Sequence, residues 1–135
     1  MVEHGHATLR QELAEAGLEA LPADVLVYGI DGPFFFGAAD SLERALSWSR
    51  EPPRYVLIWL DRVPFVDATG LKRLESTMAN LRRRGVEVLL AGANLRVLRK
   101  LVRAEIVRRD DPRYFGDLAA ALRATQAGAV GGAPD

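Results

Sequence analysis

Short apolar runs alternate along this chain with stretches in which apolar residues return every three or four positions, the pattern of strands alternating with helices. Residues 25–30 (VLVYGI) have the branched and aromatic content of a strand, and Asp31, Gly32 and Pro33 then punctuate it as a turn. A second apolar piece, FFF at 34–36, follows at once. With no room for a helix between them, the two pieces predict a hairpin-like opening. Asp40 stands three residues before Glu43 in a capping-box relation, and Leu42, Ala45, Leu46 and Ser49 share a face. That predicts a helix ending by Pro52 and Pro53. Residues 54–61 (RYVLIWLD) are almost continuously apolar, as a central strand covered on both sides requires.

From Asp67 the period changes. Leu71, Leu74, Met78 and Leu81 line one helical stripe, with Lys72, Arg73, Glu75 and residues 82–84 (RRR) largely off it, and Gly85 supplies a left-handed C-terminal residue. Residues 86–91 (VEVLLA) read as the next buried strand. Gly92, Ala93 and Asn94 then start a helix whose core side is expected to use Leu95, Leu98 and Val102. A short strand is expected at Ile106 and Val107, and a last helix with Phe115, Leu118, Ala119 and Leu122 at helical spacing. The segment up to Pro22, with Leu9, Leu13 and Leu18, suits a short marginal helix or a linker better than a core element. The resulting order is β, β, α, β, α, β, α, a short β, then α. It implies an α/β domain with a mostly parallel sheet and one antiparallel pair at an edge.

Size and charge refine the picture. A chain of 135 residues that is 49% apolar can bury one sizeable core. It contains no cysteine, so disulfides, thiolate zinc sites and cysteine nucleophiles do not arise. No apolar run reaches the roughly 20 residues of a membrane-spanning helix, and the first residues lack a secretory-signal pattern. Any membrane link is therefore expected from outside this chain. The net charge of zero conceals an asymmetry: residues 71–109 hold 11 Lys and Arg against 3 Asp and Glu, whereas residues 1–67 hold 5 against 11. The basic stretch is either the solvated side of two helices or a docking face for an anionic partner.

The candidate chemistry centres on Asp67-Ala68-Thr69-Gly70. A loop leaving a buried central strand and entering a helix through these residues leaves backbone N–H groups at the helix start. Asp67 is placed to cap them, Thr69 sets a hydroxyl beside the positive end of the helix dipole, and Gly70 permits close approach. An anion or phosphate position and a plain helix cap both fit these residues. Lys72, Arg73, Arg96 and Arg99 are the candidate basic docking face. The sequence has neither a GxxxxGK[ST] or GxGxxG phosphate cradle nor a GxSxG elbow. Its two histidines, His4 and His6, sit in the lead-in with no ligand-like spacing around them, so no metal site is expected. Asp31, Asp61 and Asp67 at strand ends read as turn or cap residues. A phosphoacceptor receiver domain would need a helix and an acidic pair after the first strand, where this chain has Gly32, Pro33 and FFF. No groove-reading motif accompanies the basic residues, so nucleic acid is not an expected partner.

Three stretches also carry a family resemblance: IDGPFFFGAAD at 30–40, VPFVDATGL at 63–71 and RRRGVEVLLAGAN at 82–94. In this order and spacing they resemble the STAS domain, and the phenylalanine-rich first stretch is similar to the branch attached to SulP-type (sulfate permease) anion transporters. The resemblance spans about residues 24–123. It implies the STAS (anti-sigma factor antagonist-like) fold, a mixed, mostly parallel sheet of four to five strands with flanking helices. Residues 1–23 would be a linker or short N-terminal helix, 24–125 the domain, and 126–135 a disordered tail. The function it implies is a non-catalytic regulatory and interaction domain without a cofactor. Such a domain would follow the last membrane helix of a transporter at the cytoplasmic, inner face of the plasma membrane, with the membrane part as its partner. The resemblance also permits a stand-alone anti-sigma factor antagonist, or a nucleotide- or acidic-protein-binding module using residues 67–70 and the nearby basic side chains. In the antagonists a kinase phosphorylates a serine or threonine directly after the aspartate. Here that position is Ala68, which has no hydroxyl, leaving Thr69 as the candidate for phosphorylation in the motif.

Overall fold

The computed structural model describes residues 6–30, 44 and 52–127. Among these residues four parallel strands form one sheet in the order β1-β2-β3-β4: β1 (Val25–Gly29), β2 (Tyr55–Trp59), β3 (Glu87–Ala91) and β4 (Tyr114–Phe115). Val27, Leu57 and Leu89 lie side by side across the first three strands, and Leu90 and Ala91 pair with Tyr114 and Phe115. All five residues of β2 are buried, as its unbroken apolar run requires for a strand packed on both faces. Apart from helical Arg44, the helices among the described residues are α1 (His6–Glu15), α2 (Ala68–Arg83), α3 (Leu95–Arg103) and α4 (Leu118–Ala127).

Strand order that advances in one direction, combined with right-handed crossovers, sends consecutive connecting helices to the same side of the sheet. Accordingly α2 and α3 share one face, where Leu74, Met78, Leu81, Val97 and Leu101 pack on Val56, Ile58, Val88 and Leu90. On the other face Leu9 of α1 and Leu118, Ala121 and Leu122 of α4 pack on Tyr55, Leu57, Trp59, Leu89 and Ala91. The alternation of Val56 and Ile58 against Tyr55, Leu57 and Trp59 is the two-residue period of a strand read out on two cores.

Helix ends follow local chemistry. At the end of α2 the Gly85 N–H donates to Arg82 and the Val86 N–H to Leu81, a Schellman motif with Gly85 at φ +84°. The end of α3 repeats it, with the Glu105 N–H to Val102 and the Ile106 N–H to Leu101, but the left-handed residue is Glu105 at φ +63°. A Cβ in that region costs about 1–2 kcal/mol. Glu105→Gly is therefore expected to stabilise the chain by up to about 1 kcal/mol, net of the added chain entropy of glycine, as read by urea unfolding.

Four expectations change. Ile106 and Val107 form a bend after α3, not a strand. Their amides close the C-cap by donating to Leu101 and so cannot pair with β3. The fourth strand lies at Tyr114–Phe115, and Phe115 is not in the last helix, which begins at Leu118. The core side of α3 is Val97 and Leu101; Leu95 is 60% exposed and Val102 36%. The lead-in also reaches the core: Leu9 is buried, and Leu13, Ala16, Leu18 and Leu21 pack beside it. The strand at 34–36 with its antiparallel pairing, the Asp40-capped helix apart from helical Arg44, His4, and the tail after Ala127 lie outside the described residues.

The lead-in is held by polar contacts as well. Glu12 Oε1 accepts from the Ala119 N–H at 2.7 Å, capping α4 beside Asp117, which accepts from the Ala120 N–H, while the Arg123 guanidinium donates to the Glu15 carbonyl. Burial pushes the Glu12 carboxyl above its ordinary 4.5, aided by the charges of Asp117, Glu15 and Asp61 and opposed by the Ala119 N–H. A carboxyl raised in the folded state favours folding below its unfolded value, and that contribution disappears as pH rises through the folded value. Glu12→Gln keeps an acceptor for Ala119 without the charge. The variant is expected to gain stability relative to the parent between pH 4 and pH 7, measured by urea unfolding at both.

Candidate functional site

The loop from β2 to α2 builds the site. Val63 and Val66 are buried and anchor it to the α2/α3 core, while Phe65 between them is 47% exposed. Asp67 adopts an extended backbone as N-cap of α2, and its Oδ1 accepts from the Gly70 N–H at 2.8 Å. This is the cap expected from the sequence, contributing about 0.5–2 kcal/mol. Asp67, Ala68 and Thr69 are exposed at the helix tip, whereas Gly70 faces inward and is buried with its amide already occupied. The surface of this tip is therefore formed by Asp67 to Thr69, with the positive end of the α2 dipole behind them.

The structure groups Thr69 with Lys72 and Arg73, which with Ser76 and Thr77 line a shallow recess of about 370 Å³ along α2. Arg96 and Arg99 belong to the neighbouring helix, where they line a second shallow recess of about 400 Å³ with Leu95, Lys100 and Arg103. The four basic residues singled out in the sequence thus lie on two adjacent helices of one sheet face. Asp61 and Asp67 stand at opposite ends of the β2–α2 loop, both exposed; Asp31 lies outside the described residues. Among the described residues no three His, Cys, Asp or Glu side chains are placed to share a metal ion.

Asn94 ties the two helices' starts together. Its Oδ1 accepts from the Val97 N–H to cap α3, and its Nδ2 donates to the carbonyls of Val63 and Pro64 in the Asp67 loop at 3.2 and 3.1 Å. Tyr114 on β4 reinforces this corner: its hydroxyl accepts from the Ala93 N–H at 3.1 Å. Burial pushes the Tyr114 hydroxyl above its ordinary range. Sequence reasoning identified Asn94 as a helix start but missed this bridge, because nothing in the local pattern reveals a partner some 30 residues away. It also missed the exposed apolar pair Phe65 and Leu95, each one residue beyond a partner in that bridge, and the cations Lys100 and Arg103.

Asp67 spends one carboxylate oxygen on the Gly70 amide, Ala68 carries no functional group, and Thr69 presents a hydroxyl in a recess that Lys72 and Arg73 also line.

Comparison with known proteins agrees with this fold. The family model described as STAS domain matches residues 20–121. The fold is similar to the SulP transporter STAS domain from Vibrio cholerae, with a TM-score of 0.77 and 36% identity, covering 91% of this chain and 97% of that one. It is also similar to a sulfate transporter family protein from Wolinella succinogenes, with a TM-score of 0.69 and 32% identity over 82% of this chain and 92% of that one. Over 94 residues, 69% of this chain, the sequence is 24% identical to the Bacillus subtilis (strain 168) protein named "Putative sulfate transporter YvdB", and the match spans 18% of that protein's length. No described helix is long and apolar enough to cross a membrane. With its central sheet, its capped α2 tip and a family match across most of its length, the chain belongs to the STAS domain family.

Proposed function

We propose that this chain is a non-catalytic regulatory and interaction module, the cytoplasmic STAS part of a SulP-type sulfate or anion transporter held at the inner face of the plasma membrane. In this reading the exposed tip at Asp67 to Thr69, with Lys72 and Arg73 beside it, is the contact to the membrane part. The observation that carries the proposal is the 36% identity to the Vibrio cholerae SulP transporter STAS domain over 91% of this chain. The geometry supports a contact role: the tip is exposed, its cap fixes the backbone, and the Asn94 bridge holds it against α3. A rigid tip loses little entropy on docking, which favours recognition by a fixed partner surface. Ala68 sits exposed where a kinase-operated antagonist needs a hydroxyl, which favours the transporter reading over the anti-sigma one.

Anion uptake by cells expressing the complete reading frame that contains this chain tests the proposal. Thr69→Trp adds bulk at an exposed position and leaves the core untouched. It is expected to change uptake about tenfold or more, the size of a disrupted contact worth at least 1.4 kcal/mol, at unchanged protein level. A reading frame without a multi-span membrane region, or uptake indifferent to Thr69→Trp, overturns the proposal.

A further inference from the structure

Among the described residues the α2/α3 side differs in charge from the opposite side. Together α2 and α3 carry eight cations against one anion, Glu75, and α3 by itself holds four cations and no acidic residue in nine positions. On the other face α1 and α4, with flanking Glu19 and Asp117, carry two cations against four anions. Such a charge dipole orients a protein on approach to a negatively charged surface. The exposed side of α3 is also not purely polar. Because Val97 and Leu101 take the core, the helix turns Leu95, Arg99 and Val102 outward along one stripe and Arg96, Lys100 and Arg103 along the next. Leu95 is the most exposed large apolar side chain in the described structure, and the preceding Asn94 is bonded to Pro64, whose neighbour Phe65 is also exposed. The recess lined by Leu95, Arg96, Arg99, Lys100 and Arg103 is shallow.

We propose that this outward side of α3, with Phe65 at its N-terminal end, docks on an anionic phospholipid surface. Arg96, Arg99, Lys100 and Arg103 meet the lipid phosphates, and Leu95 and Val102 reach the headgroup boundary. Apolar side chains standing among cations on one side of a helix that lies flat are the arrangement suited to that interface. The proposal concerns the chain's own affinity for lipid and does not depend on the transporter reading.

The test is co-sedimentation of the chain with vesicles of phosphatidylcholine alone and vesicles enriched in phosphatidylglycerol, at about 0.1 M salt. The chain is expected to sediment with the anionic vesicles only. Each cation near an anionic leaflet contributes about fivefold to partitioning, so Arg96→Gln/Arg99→Gln/Arg103→Gln is expected to lower it about a hundredfold. Leu95→Ser, at a position outside the core, is expected to lower vesicle partitioning about tenfold while leaving retention on polyglutamate unchanged. Circular dichroism of each variant matching the parent confirms that folding is kept. Partitioning no greater than on neutral vesicles, or insensitive to the triple substitution, overturns the proposal. So does anionic-vesicle binding indifferent to Leu95→Ser, or retention on polyglutamate with no vesicle binding, which assigns the surface to an acidic protein instead.

Discussion

Leu101→Ala is expected to destabilise the chain by about 3–5 kcal/mol, whereas Leu95→Ala on the same helix is expected to stay within about 0.5 kcal/mol of the parent. Leu101 is 1% exposed and packs with Val97 and Val107 under α2 and the sheet, and its carbonyl also accepts the Ile106 N–H that closes α3. Truncating it removes the transfer free energy of its side chain and leaves a cavity that the rigid β2–β3 pair cannot fill. Leu95, at 60% exposure, has little to lose. Domains of this size hold about 5–15 kcal/mol, so Leu101→Ala removes a large share of the stability. Urea unfolding of both variants decides the rotation of α3. Equal losses, or a larger loss for Leu95→Ala, would mean that the helix presents the other stripe to the core and would also remove the basis for lipid docking.

The second large effect is expected at Gly92, just after β3. Its backbone has φ +79°, and a Cβ there would stand 3.2 Å from Trp59 Cδ1 and 3.3 Å from Nε1, with Asp61 Cβ at 3.5 Å. Gly85 offers a control with φ +84° and open space around its Cβ position. Gly85→Ala is expected to cost about 1 kcal/mol, the strain of a side chain in the left-handed region. Gly92→Ala adds the displacement of a buried indole to that strain, for a total of about 2–4 kcal/mol. The emission of Trp59 is expected to shift in Gly92→Ala and to hold in Gly85→Ala. Equal costs at the two sites would contradict the close approach of Gly92 to Trp59.

The sequence displays the parts of this fold that local physics determines. The apolar run of β2 could only be a strand covered on both faces. The stripe Leu71, Leu74, Met78 and Leu81 could face only one way, and Asp67 and Gly85 mark the ends of α2 by cap chemistry alone. Where two answers satisfy the same local rule, tertiary contacts choose. In α3, Leu95, Leu98 and Val102 make one acceptable apolar stripe, and Val97 and Leu101 with Leu98 make another. The Asn94 bonds to Val63 and Pro64 fix the rotation that buries the second. Strand β4 is only two residues long and escapes any periodicity. It is positioned by Asp111, whose carboxylate accepts from the Arg108 and Arg113 N–H groups. Burial alone would raise the Asp111 carboxyl, but those donors and the two arginine charges outweigh it and hold it below its ordinary range. The lead-in looks weak because its anchors are distant: Glu12 caps a helix 107 residues downstream.

The same division applies to the site. The cap, the exposed hydroxyl of Thr69 and the cations of α2 could be read from DATG and the residues after it. The inward turn of Gly70, the bridge through Asn94 and the outward Leu95 depend on how α2 and α3 meet, and become visible only with the fold.

The central claim, that the tip of α2 is a contact surface within a transporter, is tested most directly by thiol labelling of Thr69→Cys, which introduces the sole cysteine in this sequence. Labelling rates are to be compared between the isolated chain and membranes containing the complete protein, with any other cysteines of that protein replaced. The expected result is labelling close to that of a free thiol in the isolated chain and at least about tenfold slower in the assembled protein. Equal rates in the two settings, or slow labelling of the isolated chain, would contradict the claim.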